Sequence, residues 1–227
     1  MPGDPSCHGV EILDVAGDLL VGRRSDPLTP PHLVLARAAS DLAALTFSPV
    51  QPVSPCPVAG LAWRSFSFTP GNIFTAHYVG PSAGAGAGSV PLIVWPHGGP
   101  HSVLTTDFKT VVMFFCQLGY GVLFVNYRGS LGFGEDNVRS LLGRVGDTSE
   151  LKLTITLTSS NQVGDTDVKD CHEAAGAAVA ALPQLSAAKV VLMGGSHGGF
   201  LVTHLAGQYP ASYQAVVARN PVTNIAR

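Results

Sequence analysis

The stretch Gly194–Gly195–Ser196–His197–Gly198 sets one hydroxyl between glycines two residues away on either side. That spacing is the pattern of a nucleophile elbow, in which a serine is pushed out on a sharp strand-to-helix turn. Side chains at the outer two positions would collide across such a turn, so both are glycine. In a chain with 26 glycines the pattern alone is weak, and its flanks carry the argument. "KVVLM" (189–193) precedes it as a buried strand, and "GFLVTHLAGQYP" follows it as a helix stopped by Pro210. The N-terminus of that helix would face the serine and favour negative charge developing there. A plain glycine-rich turn is the blander reading of the same residues.

Two further glycine-bearing turns follow predicted strands. "WPHGGPHS" (95–102) can present bare backbone N–H groups at the end of "PLIVW". With the N–H of His197, they could hold the oxyanion of a tetrahedral intermediate. Taken by itself this is a simple tight turn. "NYRGSLGFGED" (126–136) reads as a loop folded close to the site, where Tyr127 and Arg128 could contact substrate, although its chemistry suits a structural role equally well.

His97 and His101 are expected to hydrogen-bond the loop backbone, His197 to point away from the Ser196 hydroxyl, and His204 to be a packing or surface residue. A nucleophilic serine needs a base and an orienting acid. Only 31 residues follow Ser196, and no Asp or Glu occurs after Glu173. The chain order nucleophile, acid, histidine cannot be completed within these residues.

The elements that would position these groups alternate. "PLIVW" (91–95) and "GVLFV" (121–125) are short continuous apolar runs, as in strands buried on both faces. Between them Phe108, Val111, Val112, Phe115 and Leu118 recur at helical spacing. "DVKDCHEAAGAAVAAL" (167–182) predicts a helix with Asp167 as N-cap, and "QAVVAR" (214–219) a further strand. This is the pattern of a mostly parallel sheet flanked by helices, an α/β fold. Residues 1–57 differ: short apolar runs separated by Gly-Asp, Ser-Asp-Pro and Pro-Pro suggest antiparallel strands, and a Pro-rich connector ends them. "VGDT" at 145–148 and again at 163–166 brackets a polar stretch, so 148–165 reads as an inserted loop or non-native sequence, with an ordinary surface loop and a chance tetrapeptide as the plainer alternative.

Hydrophobic residues make up 46% and charged residues 12% of the 227, which favours a sizeable core and argues against disorder. A net charge of −2 without a Lys/Arg cluster gives no reason to expect nucleic acid or a membrane as partner. Cys7, Cys56, Cys116 and Cys171 form no CxxC pair, so neither metal nor cofactor is expected. The N-terminal residues lack a signal-peptide pattern, which makes a cytoplasmic setting the expectation.

Taken together, "HGGPHS", "NYRGSLGFG", "DVKD", "MGGSHGGF" and "GQYPASYQAVVARNPVTNIA" resemble the acylaminoacyl-peptidases, serine peptidases of the prolyl oligopeptidase group. The match runs over about residues 90–227, apart from the insert. The resemblance implies a partial α/β-hydrolase domain over 58–227, preceded over 1–57 by a β-rich remnant of a β-propeller and its connector. It implies removal of N-acylated amino acids from short peptides, with Ser196 as nucleophile and the backbone N–H groups of Gly99 and His197 as oxyanion hole. The family's Asp and His would lie beyond Arg227, so the chain is expected to be a C-terminally truncated fragment with little or no activity alone. Two alternatives stand beside this: a general esterase or dipeptidyl-type hydrolase of the same fold, or a non-catalytic fragment that pairs with a full-length relative. An incomplete sheet would leave an edge open to such pairing, and a homo-oligomer is compatible with it.

Overall fold

A computed structural model of the chain describes residues 9–38, 45–68, 74–141 and 166–223. The segment expected to be an insert, 148–165, lies outside the described residues.

The strands form two sheets. The first is an antiparallel meander of β1 (Gly9–Ala16), β2 (Leu19–Asp26), β3 (Thr29–Arg37) and the short β4 (Ser48–Pro49), paired in sequence order. Its turns are built from the punctuation seen in the sequence. Gly17 takes a φ of 63° between β1 and β2, a conformation that glycine reaches at no steric cost. Between β2 and β3, Oδ1 of Asp26 accepts the N–H groups of Leu28 at 2.7 Å and Thr29 at 2.8 Å, closing an Asx turn.

The second sheet has six strands in the order β10-β9-β7-β8-β6-β5. β5 (Leu61–Phe68) and β6 (Phe74–Pro81) form an antiparallel hairpin, and β6 pairs antiparallel with β8 (Gly121–Asn126). From there the sheet is parallel: β7 (Val90–Pro96) lies between β8 and β9 (Leu185–Gly195), and β10 (Ala215–Arg219) pairs with β9. Successive strand residues point to opposite faces. Leu92, Val94, Leu123, Val125, Val190 and Leu192 bury one face under α3 (Thr166–Ala181) and α4 (His197–Gln208). Ile93, Val122 and Phe124 bury the other under α1 (Thr110–Gln117). α2 (Glu135–Arg139) is a single short turn after β8.

Two expectations differ from this structure. Of the expected series, Val112 is buried and Phe108 and Phe115 pack partly against the same core, but Met113 and Cys116 complete the buried face in place of Val111 and Leu118. Val111, Phe114 and Leu118 are about half exposed. Nearly every residue of this helix is apolar, so several helical faces fit the pattern, and the sheet decides between them. β6 was not anticipated at all, although Phe74, Ala76 and Tyr78 alternate and are fully buried. β10 has a partner only on its β9 side among the described residues, and Val217 is 59% exposed. No described helix is long and apolar enough to cross a membrane.

Candidate active site

β9 ends at Gly195 and α4 begins at His197, so Ser196 alone makes the turn between them. It does so at φ 55° and ψ −121°. This left-handed conformation is costly for a residue with a Cβ and persists only where the surroundings impose it. They do so through the backbone. The Ser196 N–H donates to the Arg219 carbonyl at 3.1 Å, and the Ser196 carbonyl accepts the N–H groups of Phe200 at 3.1 Å and Val222 at 3.2 Å. β10 and the residues after it thus close the elbow from outside.

The glycines around the turn leave no room for side chains. A Cβ on Gly194 would lie 2.5 Å from the Gly198 carbonyl carbon. One on Gly198 would lie 2.8 Å from the His97 carbonyl oxygen, with the Pro96 oxygen nearer still. One on Gly98 would lie 2.9 Å from the Gly195 oxygen and 3.3 Å from the Ser196 Cβ. The turn after β7 is therefore seated against the serine, because β7 and β9 are neighbours in the sheet. Gly99, with φ 59°, is the second glycine of that turn. The N–H groups of Gly99 and His197, expected to act together, thus come from two backbone segments in contact.

A buried polar layer supports both segments. Oγ of Ser130 lies 2.7 Å from His97 Nε2 and 2.6 Å from the Tyr127 carbonyl, and His97 Nδ1 lies 3.1 Å from the Gly98 carbonyl. The Tyr127 hydroxyl donates to the His97 carbonyl at 3.1 Å, and the two rings stack with centroids 4.3 Å apart. His101 reaches the Gly129 carbonyl with Nδ1 at 3.0 Å. His197 turns its ring inward, where Nε2 donates to Oδ2 of Asp167 at 3.1 Å. His204 packs on the Phe200 ring at 4.2 Å. The four histidines thus take the places expected of them.

Tyr127 does not. It is wholly buried beneath His97, and a residue with no exposed surface touches no substrate; burial also pushes its hydroxyl well above the usual tyrosine range. Arg128 keeps a partly exposed guanidinium but commits it to Asp170, with Nε 2.9 Å from Oδ2 and Nη2 2.6 Å from Oδ1. The Arg128 backbone N–H adds a third bond to Oδ2 at 2.9 Å. Hydrogen bonding to Asp170 raises the Arg128 pKa further, and burial pushes the Asp170 carboxyl up against the pull of Arg128.

The acids of α3 are what the sequence reading missed. Asp167 is no N-cap: α3 begins at Thr166, and the Asp167 carboxylate accepts its neighbour Val168 N–H at 3.1 Å and the His197 imidazole. Asp167 and Asp170 are three residues apart, so they share a helix face. One holds the elbow and the other holds the loop after β8. The signal was present in "DVKD", two acids one turn apart at the start of an otherwise Ala-rich helix.

Burial pushes the His97 imidazole down to about 4. Between pH 6.5 and about 4 the unfolded chain binds a proton that the folded chain refuses, so stability falls as the pH is lowered through that window. The loss attributable to this group is about 3 kcal/mol. Denaturant unfolding at pH 7 and pH 4.5 should show His97→Gln losing about 2 kcal/mol less than the parent over that interval.

The model of the prolyl oligopeptidase family matches residues 156–227. The acylamino-acid-releasing enzyme of Rattus norvegicus is 37% identical over 226 residues, covering 95% of this chain and 28% of its own length. That of Arabidopsis thaliana is 41% identical over 156 residues, 68% of this chain and 18% of its own. The acylaminoacyl peptidase of Pyrococcus horikoshii superposes with a TM-score of 0.71 at 20% identity, covering 95% of this chain and 32% of that one. The chain thus spans a little over a quarter of the length of the first relatives it matches, 28%. The structural likeness shows the fold, that of the α/β-hydrolases. Sequence similarity along nearly the whole chain, with the serine elbow seated between β9 and α4, shows that it belongs to the prolyl oligopeptidase family.

Proposed function

We propose that this chain carries the nucleophile-bearing part of a serine peptidase that releases N-acylated amino acids from the N-termini of short peptides. The observation that carries the reading is Ser196 at φ 55°, a conformation costly for a residue with a Cβ, held in a glycine cradle. Oγ of Ser196 attacks the carbonyl carbon of the acylated residue and gives its proton to a base. The negative oxygen formed is held by the Gly99 and His197 N–H groups. The C–N bond then breaks, the amine leaves with that proton, and the acyl-enzyme ester is cleaved by water.

The base is not among the described residues. His32 bonds the Pro30 carbonyl, His77 the Ser65 hydroxyl and His172 the Tyr213 hydroxyl. His97, His101, His197 and His204 are engaged as described above. With no described imidazole hydrogen-bonded to its hydroxyl, Ser196 lacks an activating base among the described residues, and we propose that the chain alone is inactive or nearly so. The sheet β1–β4 fits the same reading, since a four-stranded antiparallel meander is the unit of a β-propeller blade.

The substrate class is tested in a chimera that completes this chain with the remaining sequence of the rat relative. It should cleave acetyl-Ala p-nitroanilide with a kcat/KM at least ten-fold above that for an unblocked dipeptide anilide. Equal rates, or a preference for the free amine, would assign a general esterase or dipeptidyl-type activity instead.

A further inference from the structure

Building on the reading of Ser196 as nucleophile, we infer that Asp167 is a positioning residue for the oxyanion-hole N–H of His197, acting through the His197 imidazole. His197 is the first residue of α4, so its N–H has no partner within the helix. The direction of that N–H is set by the peptide plane joining it to Ser196. The Ser196 side of this plane is fixed by the hydrogen bonds to Arg219, Phe200 and Val222. On the His197 side the residue enters α4, and its imidazole adds a side-chain anchor.

That anchor is enclosed. The ring is 4% exposed as a residue, lies against Tyr127 and Phe200 with centroids 5.8 Å and 5.5 Å away, and donates to Asp167 at 3.1 Å. Asp167 is 1% exposed. It is held in turn by the Val168 N–H at the start of α3, where the helix dipole favours a carboxylate. Rotating the ring away would take from a buried carboxylate the donor at its Oδ2, which is a costly state. The ring therefore cannot turn without α3 moving, and the backbone that bears it is held to one direction. Neither group reaches substrate, so the pair acts on the reaction only through the backbone of His197.

The test is amide exchange followed by NMR on the 227-residue chain carrying Asp167→Asn. The His197 ring N–H signal should lose its carboxylate-bonded shift. The Ser196 and Phe200 amides, whose bonds close the elbow, should exchange at least ten-fold faster, while those of Leu92 and Val94 in β7 keep their rates. If that variant does not fold, Asp167→Leu combined with His197→Leu removes the pair without stranding a charge and is read in the same way. Unchanged exchange at Ser196 and Phe200 in a folded variant overturns the assignment. So does acceleration spread equally over β7, or failure of both variants to fold. Labelling of Ser196 by a fluorophosphonate in the parent chain is measured alongside. The expected exchange pattern with no Ser196 adduct at any time would remove the nucleophile and leave only a braced turn; an adduct without that pattern would remove the brace alone.

Discussion

Replacing Gly198 by alanine is expected to destabilise the protein by about 3 kcal/mol or more. The new methyl would meet the carbonyl oxygens of Pro96 and His97, and the His97 carbonyl carbon at 3.1 Å. All three atoms are backbone at the end of β7, a strand held between β8 and β9. Backbone in the middle of a sheet cannot swing aside as a flexible side chain would. Gly207, in the same helix, provides the control. A Cβ there meets nothing within 4 Å, so Gly207→Ala should stabilise by about 0.5–1 kcal/mol through helix propensity. The comparison is read from denaturant midpoints of the two variants. Equal midpoints would mean that the turn after β7 is not seated against the elbow.

Substituting the serine itself separates stability from chemistry. Ser196→Gly removes the Cβ from a backbone at φ 55° and is expected to stabilise the chain by about 1 kcal/mol. Ser196→Ala removes the hydroxyl and keeps the strain, so its stability should stay within about 0.5 kcal/mol of the parent. In the completed chimera both variants should lose at least about a thousand-fold in kcat, because no neighbouring group can take over the attack. A protein whose only use for residue 196 was to turn the chain would gain from glycine and lose nothing. Strain retained at a serine is understandable only if its hydroxyl is worth more than the stability it forgoes.

Much of this site was legible in the sequence, and the reasons are local. The elbow could be read because its glycines answer a steric demand confined to five residues, and because strand and helix signals flank it. The two turns at 97–101 and 127–130 could be read for the same reason: each follows a continuous apolar strand. The roles inside the turns were less visible. Tyr127 looked like a substrate contact because a tyrosine beside an arginine in a glycine-rich loop has no local partner. Its partner, His97, is thirty residues away on the next strand. Asp167 looked like a helix cap because capping is a local role, whereas its bond to His197 depends on α3 and α4 covering the same face of the sheet. The face of α1 was misjudged for a related reason: in a helix that is apolar all round, only the sheet against it selects which side is buried. β6 went unseen because its alternation is short, and its place in the sheet is set by pairing with β5 and β8 on either side.

Ser196 makes the turn between β9 and α4, no described imidazole is hydrogen-bonded to its hydroxyl, and on the proposed reading the described residues hold an elbow without a base. The direct measurement is reaction of this chain with a fluorophosphonate, followed by peptide mass spectrometry, with Ser196→Ala as the blank. The expected result is a single slow adduct on Ser196, formed at a rate that rises linearly with reagent and without a burst. Rapid, saturable labelling of Ser196 would contradict the absence of a base, and an adduct located elsewhere would contradict the assignment of the nucleophile.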